Sequence, residues 1–467
     1  MFNCCRYIVL MLLVVCGFCG KAQDSTAVAT EDLPVIIADI QVSGYKKTKP
    51  YIIEREFPFQ VGDHILRSNL DAKLERCRSN LMNTALFVDV DVTSKIQGEL
   101  VFINIQVKER WYIFPIPYFK FIDRNINEWL VKHKGSLNRV NYGVKFMYNN
   151  VGGRNDKLNL WLLNGYSQQV LFRYDQPMAD RSLKYGFDIG FAYSRTKEMN
   201  VTTTPDNKQQ FYKEDKFINE YFHVNSAVTY RPAIKTKHYL RVGYTRSRIN
   251  SDSFFIINPN YYGNGATSIS YPEISYSINH FNVDYIPYPN KGFTFKGSAG
   301  KKGFNKEVNV WQLNAISTYT IPLVAKSYLH LQAAGMLKLP FDQPFYNKRL
   351  FGYGEMYMRG LEYYVVDGVA GFIGRATIRK QVLNFNIKPI IVIKGHNKIP
   401  VRVLLKTYGD VGYAYDKQPI GTLNNKLLRT WGIGLDVITF YDFIIRFEYS
   451  FNQLNNNGLF LHSKGDF

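Results

Sequence analysis

Few residues of this chain are placed to do chemistry. Arg359 and Gly360 stand side by side in "YMRGLEYY" (357–364), introduced by "KRLFGYGE". A guanidinium can hold a carboxylate through two parallel bonds and lock a loop as an ammonium would not. The glycine beside it lets the backbone turn tightly. The same pair also suits an ordinary solvent-exposed loop, and on its own it leaves both readings open. Nothing that looks catalytic accompanies it. The eight histidines are scattered, without H-x-x-x-H spacing. "GSAGKKG" (297–303) lacks the G-x-x-x-x-G-K-[ST] spacing of a phosphate loop, and no G-x-S-x-G elbow is present. The expectation is a chain that is not an enzyme and needs no cofactor or metal.

The surrounding elements read mostly as strands. In "KYGFDIGFAYS", Tyr185, Phe187, Ile189, Phe191 and Tyr193 face one way, and Gly186, Asp188, Gly190 and Ala192 the other. "FIIRFEYSF" sets Phe447, Tyr449 and Phe451 against Arg446, Glu448 and Ser450. Aromatic residues make up 15% of the chain, a load that suits both strands and membrane interfaces. Apolar outward faces, small or polar inward faces and aromatic strand ends are the pattern of a transmembrane barrel. Closure satisfies every backbone group in lipid, where an open sheet edge is not tolerated. Residues 112–467 leave room for about sixteen antiparallel strands of roughly 9–11 residues each.

The first residues, "MFNCCRYIVLMLLVVCGFCGKA", read as a secretory signal peptide over 1–22, since the apolar run is about half of the ~20 residues a membrane helix needs. Residues 23–34 read as a disordered lead. Four of the five cysteines fall in the signal, so the mature chain keeps only Cys77 and no internal disulfide. Residues 35–110 differ from all that follows. "VIIADIQVSGY" alternates as a strand. "TKPYIIEREF" reads as a helix with Thr48 at its N-cap and Pro50 in its first turn. "GDHI" breaks the chain. Leu66, Leu70, Leu74, Cys77 and Leu81 repeat at helical spacing, and two alternating strands follow around Gln97-Gly98. The order is β-α-α-β-β.

A β-α-α-β-β module followed by a barrel resembles the BamA/TamA outer-membrane assembly superfamily. Its members carry periplasmic POTRA modules before a sixteen-stranded barrel. "IADIQVSGYKKTKPYIIEREFPFQVGD" and "LERCRSNLMNTALFVDVDV" resemble a POTRA, and "KERWYIFPIPYF" resembles the passage into the barrel. "VDYIPYPNKGFTFKGSAG" resembles a central hairpin with Pro289 and Gly292 at its turn. "YGDVGYAY" resembles the family's D-x-G strand, giving Asp410 and Gly412. "MRGLEYY" is similar to its (V/I)RG(F/Y) signature, though Leu361 stands where an aromatic is usual.

The resemblance implies an all-β transmembrane barrel preceded by one small α+β POTRA domain. It places Arg359 and Gly360 on a long loop folded into the lumen, with Asp410 as partner to Arg359. It implies a weakly paired seam between a first strand near Tyr142, Val144, Phe146 and Tyr148 and a last strand near Leu459, Leu461 and Phe467. It implies a bacterial outer-membrane location, with the POTRA in the periplasm. The implied function is assembly or insertion of outer-membrane proteins, through capture of client strands by the POTRA and the seam. The alternatives are a dedicated secretion pore and a passive channel. Implied partners are unfolded outer-membrane or exported clients and periplasmic or lipoprotein accessory subunits. The net charge of +20 is spread along the chain, which suits membrane lipid and lipopolysaccharide phosphates rather than nucleic acid.

Overall fold

The structure is a computed structural model. It describes residues 33–464 apart from 122–133, 135, 137–138, 306, 355 and 388–398. The signal peptide, most of the lead and Phe467 lie outside the described residues.

The N-terminal domain is a four-stranded sheet with order β2-β1-β4-β3, built from β1 (Pro34–Ser43), β2 (His64–Leu66), β3 (Phe87–Gln97) and β4 (Leu100–Glu109). Helices α1 (Pro50–Glu54) and α2 (Arg67–Met82) cover it. Strand β1 pairs parallel with β4, as a strand–helix–strand crossover allows. Leu70, Leu74, Cys77 and Leu81 form the buried stripe of α2. Burial pushes the Cys77 thiol up to about 12, which makes it an inert core residue. Three expectations are corrected. Leu66 is exposed and belongs to β2, because "GDHI" does not simply break the chain but returns it to pair with β1. Lys49, not Thr48, is the residue before α1, and it makes no side-chain cap. The Thr48 hydroxyl instead meets Tyr112 Oη at 3.2 Å and accepts from Asn150 Nδ2 at 3.0 Å.

Sixteen strands form a single antiparallel sheet that makes the barrel. In chain order they are β5 (Ile113–Phe121), β6 (Val140–Asn149), β7 (Lys157–Gly165), β8 (Ser167–Gln176), β9 (Tyr185–Thr196), β12 (Asn219–Tyr230), β13 (Thr236–Ile249), β14 (Ser268–Val283), β15 (Gly292–Lys302), β16 (Val310–Pro322), β17 (Ser327–Leu339), β20 (Ala370–Ile387), β21 (Ile399–Tyr415), β22 (Leu427–Ile438), β23 (Ile444–Asn452) and β24 (Gly458–Lys464). Two hairpins stand outside this sheet, β10 (Glu198–Thr203) with β11 (Gln209–Lys213), and β18 (Arg349–Phe351) with β19 (Val366–Asp367). Alternation decides the faces. Val228, Leu240, Val242, Phe447 and Tyr449 are exposed on the outer wall, while Asp188, Glu448 and Ser450 are buried inside it.

The first barrel strand is β5, not the strand at Tyr142–Tyr148, which is β6 and second in the sheet. Pro115 and Pro117 disguise β5, because proline cannot donate to a ladder and is confined to sheet edges. The ladder to β6 nevertheless runs through both, pairing Pro115 with Phe146 and Pro117 with Val144. Residues two apart in a strand point their N–H positions to the same side. The donor-less nitrogens of both prolines therefore face the other edge of β5. Among the described residues, no ladder joins that edge to β24.

Candidate functional site: the folded-back loop and the strand seam

Residues 340–369 link β17 to β20 as a long loop carrying β18 and β19. Its tip lies inside the barrel. Arg359 is only 8% exposed, and Asp410 on β21 only 1%. Arg359 Nε donates to Asp410 Oδ2 at 3.0 Å, and a second guanidinium nitrogen donates to Oδ1. The Arg359 backbone N–H adds a bond to Oδ2 at 3.2 Å. The remaining guanidinium nitrogen donates to Thr377 Oγ1 on β20 at 3.0 Å, and the plane lies 4.0 Å from the Tyr408 ring centroid. Each of the three Arg359 guanidinium nitrogens thus has an acceptor, as a buried cation requires. Arg375 on β20 stands beside the pair, its Nε 3.8 Å from Asp410 Oδ2.

The two glycines allow this approach. Gly360 sits at φ +86°, and a Cβ there would lie 3.0 Å from Ser450 Cβ. A Cβ at Gly412 would lie 2.6 Å from Met358 Sδ, so the wall is bare where the loop rests on it. Gly360 C=O accepts from Asn452 Nδ2 on β23 at 2.7 Å. Beyond the Arg-Gly pair the loop reaches the last strand. Glu362 contacts His462 on β24, with Oε1 3.3 Å from Nε2. The Tyr363 ring packs on Phe460, and the Tyr357 ring stacks on His462 at 5.4 Å. A buried polar chain continues below. Lys406 Nζ bridges Asp436 at 2.5 Å and Glu448 at 2.6 Å, and Tyr288 Oη, from the β14–β15 turn that also holds Pro289, donates to Asp436 at 2.7 Å. Sequence reasoning missed Lys406, Glu362 and His462, because their partners sit tens of residues away on other strands.

The seam residues divide. Tyr142, Val144, Phe146 and Tyr148 all lie on β6, one strand in from the edge. Leu459 and Leu461 lie on β24 itself and point outward, both about two-thirds exposed.

The N-terminal domain covers one mouth of the barrel. Arg231, in the β12–β13 turn, grips Glu56 through two guanidinium bonds of 2.5 and 2.9 Å. Arg55 donates to Leu183 C=O at 2.8 Å, and Met178 joins the domain's own core. Arg110 pairs with Asp442 in the β22–β23 turn at 2.8 Å. Glu109 accepts from the Thr48 N–H at 2.7 Å. Burial works against its ionised form, but donors from Thr48 and Lys47 outweigh this and hold its pKa below the usual value. A cavity of 620 Å³ remains between α2 and the lumen, with Glu56 and Asn80 facing Arg231 and Lys237. At the other mouth the β10–β11 hairpin is latched by buried Asn207, which donates to Val365 C=O and accepts from Leu423 N–H, each at 2.9 Å.

Residues 35–110 match the family described as POTRA, surface antigen variable number repeat. Among solved structures, BamA from Haemophilus ducreyi lacking POTRA domains 1–3 superposes with a TM-score of 0.52 at 15% identity, covering 92% of this chain and 84% of that one. The chain joins a POTRA domain to a barrel with the fold of BamA. CdiB from Escherichia coli gives a TM-score of 0.49 at 10% identity over 95% of this chain and 92% of that one. CdiB from Acinetobacter baumannii gives 0.48 at 12% identity over 92% and 73%. No curated protein matches in sequence. A POTRA domain joined to a barrel of this fold is an outer-membrane protein with its POTRA in the periplasm. The turns at Arg231 and Asp442 are thus the periplasmic ones, and the loop with Arg359 enters from outside.

Proposed function

We propose that this protein assembles or inserts other proteins at the outer membrane, using the β5–β24 edge pair as the site where a client strand is received. The observation that carries this reading is the pair Pro115 and Pro117. They place two donor-less nitrogens on the edge of β5 that should meet β24. A strand edge with missing donors closes poorly, and its unmatched partner groups are available to another strand. On the other side β24 runs, among the described residues, from Gly458 to Lys464. The POTRA offers β3 as a second free edge for capture. The arginine loop supports the same reading, since its bonds to β21, β23 and β24 brace the wall next to the seam. A passive channel fits less well, because the loop tip enters the lumen and the POTRA lies across the periplasmic mouth. The test is depletion in the native host followed by quantitative outer-membrane proteomics. Broad loss of barrel proteins, not rescued by Arg359→Ala, is the expected result. Loss of a single exported protein would assign the chain to dedicated secretion instead.

A further inference from the structure

We propose that Glu362, Glu448 and His462 form a site for a divalent transition metal, zinc above all, that clasps the last strand to the folded-back loop. The three residues come from the loop tip, β23 and β24, and their ligand atoms all lie within 4.8 Å of one another. His462 Nε2 is 3.3 Å from Glu362 Oε1 and 3.4 Å from Glu448 Oε2. Ligands bonded to zinc at about 2.0–2.2 Å with tetrahedral angles stand roughly 3.3–3.4 Å apart, so the observed spacing needs little adjustment. One imidazole and two carboxylates are a donor set for zinc and its first-row neighbours, with a fourth position left to water.

A second feature points the same way. Glu448 is 1% exposed, yet its Oε2 accepts no hydrogen bond and is turned toward His462. Glu362 Oε2 is likewise without a donor. A buried carboxylate oxygen left unmatched is costly, and a cation at this point would satisfy Glu448 Oε2 while Glu362 Oε1 lies within reach. Glu448 Oε1 is already held by Lys406 at 2.6 Å, the kind of outer contact that fixes a metal-binding carboxylate. Lys406 is itself shared with Asp436, so two carboxylates face one ammonium here. Arg446, the β23 residue opposite His462, adds a cation nearby and offsets part of this excess. Sequence spacing could not reveal such a site, because its ligands are separated by 86 and then 14 residues on different elements.

The experiment uses the full-length protein without a histidine tag, folded in detergent, stripped with EDTA and titrated with Zn²⁺ by calorimetry. One equivalent should bind, and Glu362→Gln and His462→Ala should each weaken binding at least tenfold. Both positions are partly exposed, and heat-modifiable migration on gels checks that each variant is folded. Hydrogen exchange supplies a second readout, in which zinc should slow exchange in 357–364 and 458–464 of the wild type but not of Glu362→Gln. The proposal fails if the wild type binds no zinc, if both folded variants bind it as the wild type does, or if zinc leaves those segments unchanged.

Discussion

The two edges of the barrel sheet are held by different parts of the chain. The β24 edge is braced from inside the lumen by the loop, through Arg359–Asp410, Asn452–Gly360 and Glu362–His462. The β5 edge is braced from the periplasm by the POTRA, which continues directly into it. Thr48 gathers Tyr112 and Asn150 at that joint, and Lys49 N–H donates to Gly153 C=O at 2.9 Å. One brace is a buried ion cluster that breaks as a unit. The other is spread over several separate turns, and its ion pairs, Arg231–Glu56 and Arg110–Asp442, share no residue. The difference suggests that movement at the seam begins on the POTRA side while the loop keeps the β21–β24 wall rigid.

The largest way to break this contrast is at the loop. Arg359→Ala leaves Asp410 1% exposed and without its main partner. Removing one member of a buried pair typically costs about 3–5 kcal/mol. The loop tip should become protease-sensitive and the folded barrel should lose stability against guanidinium. Arg359→Lys keeps the charge but not the fork, and should fall between wild type and alanine. If both variants resist denaturant and protease as the wild type does, the anchor is not what holds this wall.

Next is the POTRA clamp. Arg231→Ala leaves Glu56, also 1% exposed, with only Arg55 at 3.4 Å. The cost should lie below the about 3–5 kcal/mol of a fully broken pair, because that contact survives. It should appear as faster amide exchange in α1 with the β20–β24 wall unchanged. Equal loosening of both regions would erase the proposed difference between the braces.

A smaller effect is expected at Gly360, where alanine must adopt φ +86° and push its methyl toward Ser450. Backbone strain of this kind costs about 1–3 kcal/mol. Guanidinium titration of Gly360→Ala should show that loss, and loosening confined to the loop, β23 and β24.

Legibility followed the range of the interactions. The POTRA was readable because its signals are local: the stripe from Leu70 to Leu81, the turn at Gly98 and period-two strands on either side. Barrel class was readable for the same reason, since outward positions did not have to be matched to partners; alternation in "YLRVGYTRS" alone sets Leu240 and Val242 against Arg241. The pairing of Arg359 with Asp410 came from family resemblance, as no spacing rule links residues that far apart. The first strand was misplaced because propensity counts Pro115 and Pro117 against a strand, whereas an edge strand can carry them. The ion cluster around Lys406 was invisible, because register across β21, β22 and β23 has to exist before Asp436, Lys406 and Glu448 can meet.

The smallest change sharpens the comparison most directly. Pro115→Ala with Pro117→Ala restores two N–H donors on the free edge of β5 while leaving its ladder to β6 intact. Each new bond to β24 would contribute about 0.5–1.5 kcal/mol, less the strain of bringing the edges into register. The double variant should therefore close the seam more firmly without altering the Arg359 anchor or the POTRA clamp. Reconstituted into liposomes, it should insert an added barrel client more slowly than the wild type. A single cysteine on β5 paired with one on β24 should cross-link faster in the variant than in the same wild-type pair. If cross-linking rises while client insertion is unchanged, the seam closes as described but is not where the client enters. If neither changes, the missing donors do not govern the seam.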